Sequence, residues 1–298
     1  MIAGQLDHLS GIPFAMAKAR AYIELLKFRL SFLVAFSCGF GFVLASESID
    51  VFTLAMVFTG GFLLSGASVT INQIIEKDLD KLMTRTLNRP LPTGRISVSE
   101  AIVFTGLCFV LGVYLLIVFT NPLTTLLSVV SMILYSFVYT PLKRVGPVAV
   151  FVGAIPGALP PLLGWTAATG VLSHEALIIF GIQFIWQFPH FWAIAWVADE
   201  DYKKAGFKLL PSGGVKDLNT AIQIMIYTMF LIPMGMLPAT FGITGINSAV
   251  IATVCGVLFF AQTFSLMKSG DRRSALKIMF GSFLYLPIVQ IAYLLDKV

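Results

Sequence analysis

Charge is scarce in this chain. Asp, Glu, Lys and Arg make up 12% of its 298 residues while 57% are hydrophobic, above the about 45–50% typical of soluble domains. That balance excludes a water-soluble globule and marks an integral membrane protein of the all-α class. The three cysteines, Cys38, Cys108 and Cys255, all fall in apolar runs without paired spacing, which excludes a disulfide framework and a thiolate metal site. The net charge of +5 is carried by short loops between apolar runs, so it reports membrane topology, and nucleic acid is not an expected partner. The first 28 residues carry Asp7, His8, Lys18, Arg20, Glu24 and Lys27. They lack both the short apolar core of a cleaved signal and the Arg- and Ser-rich, acid-poor make-up of an organelle transit peptide. The expectation is a prokaryotic plasma membrane.

Long apolar runs are what the chain has in abundance. A crossing of roughly 30 Å of hydrocarbon needs about 20 apolar residues. Nine runs qualify, near 30–46, 51–71, 100–119, 122–140, 147–168, 175–197, 220–241, 246–267 and 275–295. With nine crossings, 19 of the 20 Lys and Arg residues fall on one side and only Lys297 falls on the other. A wrong helix count would scatter them. The basic side of a membrane protein is cytoplasmic, so the N-terminus, residues 1–28, is expected inside and the C-terminus outside. The connections on the other side, near 46–50, 120–122, 170–175 and 242–247, are short and nearly uncharged. The two longest loops, about 72–99 and 198–219, are both cytoplasmic and both begin with clustered acids. The whole of 1–298 reads as one domain.

Residues 72–95, NQIIEKDLDKLMTRTLNRPLPTGR, concentrate three acids and five bases. On a helix at about 100° per residue, Asn72, Glu76 and Asp80 fall within roughly 80° of one another. Such a face holds oxygen ligands for a hard cation such as Mg²⁺, which takes few carboxylates and completes its shell with water and substrate phosphate. Arg85, Arg89 and Arg95 behind it suit a diphosphate, because planar guanidinium groups pair bidentately with phosphate oxygens. Taken alone, the stretch fits a solvated helix end equally well. The second loop opens with Asp199, Glu200 and Asp201. Brought together across a bundle, Glu76, Asp80, Asp199 and Asp201 would repel unless cations neutralised them, which favours a metal-diphosphate site.

The sixth apolar run carries a polar stripe. Gln183, Gln187 and His190 project to the side of the helix that leads toward Asp201, and polar groups inside a membrane face the bundle interior. Pro189 frees the carbonyl of Ile185 and kinks the helix. His190 has two readings, a hydrogen bond to a neighbouring helix or a contact with substrate.

Taken in order, these motifs resemble one family. Asn72-x-x-x-Glu76-x-x-x-Asp80, Met83-Thr84-Arg85-Thr86, Arg89-Pro90-Leu91-Pro92-Thr93-Gly94-Arg95, Tyr139-Thr140-Pro141-Leu142-Lys143-Arg144, the run from Gly157 to Trp165, Trp186-Gln187-Phe188-Pro189-His190-Phe191-Trp192, and Asp201-Tyr202 through Leu210-Pro211 resemble the UbiA-type intramembrane prenyltransferases. The forms MxRTxxRPLPxGR and WQxPHFW resemble their heme-directed branch, the protoheme IX farnesyltransferases. Leu26-Lys27-Phe28-Arg29 stands where that branch has Lys-Pro-Arg, and Asp199-Glu200-Asp201 does not reproduce the DxxxD spacing of the second family motif.

The resemblance implies nine helices around a central cavity, capped on the cytoplasmic side by the two acidic loops. It implies farnesyl transfer from farnesyl diphosphate to a vinyl group of heme B, with water added, to give heme O. Glu76, Asp80 and Asp201, with Asp199 second, would bind Mg²⁺ as cofactor, Asn72 would help hold the metal-diphosphate, and Arg29, Arg89, Lys143 and Arg144 would contact the diphosphate. His190 and Gln187 would meet heme. Heme A synthase or cytochrome oxidase assembly proteins are implied partners besides the bilayer. Three rival readings differ in what they require. A prenyltransferase for 4-hydroxybenzoate lacks the heme-branch motifs, a secondary transporter needs charged or broken midplane segments, and a heme-binding factor without catalysis needs no metal-diphosphate site.

Overall fold

The computed structural model describes residues 12–298 of the chain; Asp7 and His8 of the expected N-terminal segment lie outside the described residues. Among the described residues nine helices are long and apolar enough to cross a membrane. They are α1 (Phe28–Ala45), α2 (Val51–Ile75), α3 (Val98–Phe119), α4 (Pro122–Leu142), α5 (Val148–Thr169), α6 (His174–Val197), α7 (Leu218–Thr240), α8 (Ile246–Ser269) and α9 (Arg272–Leu295). The protein is a multi-pass membrane bundle. Five of these helices start at a side chain that accepts from a first-turn N–H: Asp50, Asn121, Ser173, Asp217 and Asp271. At α3 a reciprocal capping box joins Ser97 and Glu100. Such caps satisfy amides that the membrane interface would otherwise leave unpaired.

Two features differ from the sequence-based boundaries. α2 runs on to Ile75, so Asn72 belongs to its last turn and not to the loop. The N-terminal segment contains a surface helix, Ile12–Leu25, whose Ala21 and Leu25 pack on Leu91, Ile96 and Ala101. Apolar Leu91 within the Arg89–Gly94 stretch gives that helix its seat.

The core is organised on α5, which packs against α1 and α4 on one side and α6 on the other, while α6 also meets α7 and α9. α1 and α5 touch backbone to backbone. A Cβ on Gly41 would overlap the Pro161 carbonyl, and one on Gly164 would overlap the Cys38 carbonyl. Small residues allow this close approach where lipid offers no hydrophobic drive. Pro161 has no N–H for the carbonyl of Gly157, one turn earlier. Instead, Gln183 and Gln187 of α6 both donate to that oxygen, at 2.8 and 2.9 Å. Gln183 in turn accepts from Gln290 of α9 at 2.9 Å. The proline-rich α5 is therefore tied to its neighbours by the carbonyl it exposes, while Val103, Leu107, Val110 and Leu284 face outward as a lipid surface does.

Candidate active site

The two acidic loops lie at one end of the bundle, where Asp201 of one accepts from backbone amides of the other. α2 ends at Ile75 and a separate short helix spans Lys77–Asp80, with Glu76 as the hinge. The bonds Glu76 N to Asn72 O, 2.9 Å, and Asp80 N to Glu76 O, 2.8 Å, keep the i to i−4 pattern through the hinge. Asn72, Glu76 and Asp80 thus stay on one face, as the spacing predicts. All three are buried, Asp80 completely.

A buried carboxylate needs a partner, and each acid has one. Nη1 of Arg89 donates to both Asp80 oxygens, at 2.8 and 2.7 Å. Nζ of Lys143 donates to Oε1 of Glu76 at 2.8 Å. Burial holds the Lys143 ammonium below the usual lysine range, against the pull of Glu76. Its Nζ also lies 4.9 Å from the centre of the Tyr139 ring, within cation-π range. Asn72 donates its Nδ2 to the Thr140 hydroxyl, 3.1 Å away, which leaves Oδ1 for other partners. Thr140 is placed by a π-helical stretch, Leu134–Tyr139, that closes with Thr140 N and Oγ1 both on the Tyr135 carbonyl. Wider turns of this kind collect at functional sites.

Lys27, the half-exposed N-cap of α1, has its pKa pushed down to about 7 by burial first, then by Arg89 and Lys143. Arg29, two residues on, is exposed on the first turn of α1.

The remaining predicted groups are placed differently. The acidic loops do meet, through Asp201, whose carboxylate accepts from the backbone N–H groups of Thr84 (3.1 Å) and Arg85 (3.0 Å) and from Nζ of Lys204 (2.9 Å). These bonds, Lys204 foremost, hold its pKa well below the usual carboxylate range. Asp199 pairs with Lys203 at 2.9 Å and Lys216 at 3.3 Å. Among the described residues no three acidic, histidine or cysteine side chains come together as a metal cluster, so Asp199 and Asp201 stand apart from Glu76 and Asp80. Arg85 stacks 5.7 Å over Tyr202, and Arg95 bonds Glu24 at 2.7 Å and the Asn88 carbonyl at 2.6 Å. Of the three arginines in the first loop, only Arg89 reaches the acids. Arg144 lines a cleft of about 500 Å³ with Glu76, Thr140, Pro141 and Lys208, and Lys208 had no sequence signal beyond its charge.

Deeper in the bundle, His190 is half-buried. Its Nδ1 lies 2.9 Å from the Ser282 hydroxyl on α9, and that hydroxyl donates to the Met279 carbonyl at 2.6 Å. With the single hydroxyl hydrogen on Met279, Nδ1 carries the imidazole proton and Nε2 keeps its lone pair. The ring stacks on Trp186 at 4.3 Å, and Trp186 donates to the Ser282 carbonyl at 3.0 Å. Of the two readings for His190, the hydrogen bond to a neighbouring helix is present and leaves one nitrogen for a ligand.

The model of the UbiA prenyltransferase family matches residues 33–286. The protoheme IX farnesyltransferase of Cytophaga hutchinsonii is 53% identical over 280 residues, covering 94% of this chain and 98% of the relative. Among solved structures, a digeranylgeranylglyceryl phosphate synthase superposes with a TM-score of 0.77 at 21% identity, covering 94% of this chain and 98% of that one. A UbiA homolog from Archaeoglobus fulgidus, bound to GPP and Mg²⁺, gives 0.64 at 19% identity over 92% of this chain and 99% of that one. With a family match across most of its length and a relative sharing half its residues, the chain belongs to the UbiA prenyltransferase family, in the protoheme IX farnesyltransferase branch.

Proposed function

We propose that the protein transfers the farnesyl group of farnesyl diphosphate to a vinyl group of heme B, with addition of water, giving heme O. The observation that carries the reading is the buried Glu76–Lys143 and Asp80–Arg89 pairing at one end of an apolar bundle. It offers oxygen ligands and phosphate-binding cations in one place, at the end of an apolar bundle suited to greasy substrates. The donor set fits Mg²⁺: two buried carboxylates and the unengaged Oδ1 of Asn72 are hard oxygens. Asp201, which accepts from the Thr84 and Arg85 amides and from Lys204, and Asp199, whose Oδ2 pairs with Lys203 and Lys216, each keep a free lone pair for a cation. A UbiA homolog of the same fold, from Archaeoglobus fulgidus, was solved bound to GPP and Mg²⁺.

When bound, magnesium draws charge from the diphosphate oxygens and eases their departure. The chain's own groups do the rest. Arg89 and Lys143 supply cations to the leaving diphosphate in a desolvated setting, which is where such electrostatic stabilisation counts most. Arg144 and Arg29 add charge at the mouth. The bond from farnesyl C1 to oxygen breaks with its electron pair leaving on the diphosphate, the terminal vinyl carbon of heme bonds to C1, and water adds to the other vinyl carbon with loss of a proton. Apolar walls keep water off the allylic cation until that bond has formed. His190, whose Nδ1 is held by Ser282 and whose Nε2 keeps a lone pair, is the group we assign to heme, and Gln187 ties α6 to the Gly157 carbonyl of α5.

The 19 basic residues on one side support a reading in which the acidic loops and the N-terminus are cytoplasmic and the C-terminus is outside a prokaryotic plasma membrane. The product would pass to heme A synthase or cytochrome oxidase assembly proteins. The test is transfer activity with and without Mg²⁺ in the wild type, Glu76→Gln and Asp80→Asn. The expected outcome is strict metal dependence and a fall of about 100-fold or more in each variant. Metal-independent transfer in folded protein would overturn the assignment.

A further inference from the structure

Arg95 closes the loop segment that carries Arg89, and its hydrogen bonds go to that segment and to the surface helix. Its Nη2 donates to Oε2 of Glu24 at 2.7 Å and to the Asn88 carbonyl at 2.6 Å, and its Nε donates to Oγ1 of Thr93 at 3.2 Å. The Thr93 hydroxyl in turn donates to the Arg89 carbonyl at 2.8 Å, nearer than the Pro90 carbonyl at 3.2 Å. One guanidinium thus holds the carbonyl before Arg89 directly and that of Arg89 itself through a single hydroxyl. A planar group with donors fixed in direction can make all three bonds at once.

The other side of Arg89 is tied to the acid it meets. Its N–H donates to the Thr86 carbonyl at 3.0 Å, and the Thr86 hydroxyl donates to the Asp80 carbonyl at 2.9 Å. Arg89 therefore lies between two chains of bonds, and the Arg95 chain is anchored outside the loop by Glu24. Glu24 sits in the last turn of the surface helix Ile12–Leu25. That helix rests on Leu91 and Ile96 of the same segment, is held by Lys18 to Glu100 at 2.6 Å, and reaches α2 where Gln73 Nε2 donates to the Leu25 carbonyl at 2.7 Å. Gln73 follows Asn72 directly, so one helix is bonded both to the element carrying the acidic face and to the loop that brings Arg89 to it.

We propose that Arg95 is a positioning residue for Arg89: anchored on the surface helix by Glu24, it clasps the Asn88 and Arg89 carbonyls and so sets the reach of the Arg89 guanidinium to Asp80 and to the substrate's diphosphate. The proposal rests on the farnesyl diphosphate reading above. It moves Arg95 from the diphosphate-binding place its sequence spacing suggests to a supporting one behind Arg89. A displacement of about 1 Å in a group that meets the leaving diphosphate is enough to cost about 100-fold in rate.

The test uses the full-length protein in detergent with heme B, farnesyl diphosphate and Mg²⁺, and reads kcat, the affinity for inorganic pyrophosphate plus Mg²⁺ by calorimetry, and the unfolding temperature. Arg95→Met should lower kcat by about 10- to 100-fold and weaken pyrophosphate in the direction of Arg89→Gln but by less. Glu24→Gln breaks the ion pair and leaves Arg95 its two loop bonds, so its kcat should fall less than that of Arg95→Met. Lys18→Met, which loosens the helix elsewhere, should keep the wild-type kcat. In an Arg89→Gln background, with folding confirmed at the assay temperature, Arg95→Met should cause little further fall, because two residues acting through one group are not additive. The proposal is overturned if Arg95→Met lowers only the unfolding temperature, if Glu24→Gln or Lys18→Met slows transfer as much as Arg95→Met, or if the Arg95→Met effect is undiminished without Arg89. Arg89→Gln separates the two claims. If it is slow while Arg95→Met transfers at the wild-type rate, only the Arg95 assignment fails; if Arg89→Gln itself transfers and binds pyrophosphate normally, the diphosphate reading of the site fails first.

Discussion

Replacing Arg89 with methionine removes the partner of a carboxylate that has no contact with solvent. Asp80 is 0% exposed and takes both of its short bonds, 2.8 and 2.7 Å, from one Arg89 nitrogen. Arg89→Met keeps much of the bulk and strands the acid, and stranding one member of a buried pair costs about 3–5 kcal/mol. The exposed pair of Lys81 and Asp78 sits on the same short helix and is screened by water, so Lys81→Met serves as the control and should unfold with the wild type. The double variant Arg89→Met/Asp80→Asn removes both charges and should recover more than half of the loss, because the penalty belongs to the stranded charge more than to the missing bond. The assay is thermal unfolding of purified protein in one detergent, run with and without Mg²⁺. A cation at Asp80 replaces part of what Arg89 supplied, so Mg²⁺ should stabilise Arg89→Met more than it stabilises the wild type. The reasoning is refuted if Arg89→Met unfolds at the wild-type temperature, or if the double variant is less stable than Arg89→Met.

Two other outcomes follow from the same geometry. Gly164→Ala drives a methyl into the Cys38 carbonyl and should destabilise the α1–α5 contact by about 1–3 kcal/mol or more, seen as a lower unfolding temperature, whereas Gly106→Ala, which meets nothing within 4 Å, should not. Ser282→Ala removes the acceptor that fixes His190 Nδ1 and should change the absorption spectrum of added heme B in the direction of His190→Ala but by less; identical spectra in all three proteins would remove His190 from the heme site.

The architecture was legible because membranes impose simple rules. Long apolar runs and one-sided basic residues gave nine helices, and nine are found among the described residues. The face shared by Asn72, Glu76 and Asp80 was legible for the same reason, since spacing of four survives even the break at Glu76. What the spacing could not carry was pairing. Asp201 is legible as a candidate ligand by its type and place, whereas the bonds it accepts from two backbone amides of the other loop leave no trace in a sequence. The stripe of Gln183, Gln187 and His190 was visible, but its division between the Gly157 carbonyl on α5 and Ser282 on α9 depends on helix packing.

The most direct test of the account is mass spectrometry of the tetrapyrrole extracted after purified protein is incubated with heme B, farnesyl diphosphate and Mg²⁺, beside 4-hydroxybenzoate as a competing acceptor. The account predicts a Mg²⁺-dependent product with the mass of heme B plus a farnesyl group and water, and unmodified 4-hydroxybenzoate. Unchanged heme B together with prenylated 4-hydroxybenzoate would contradict it.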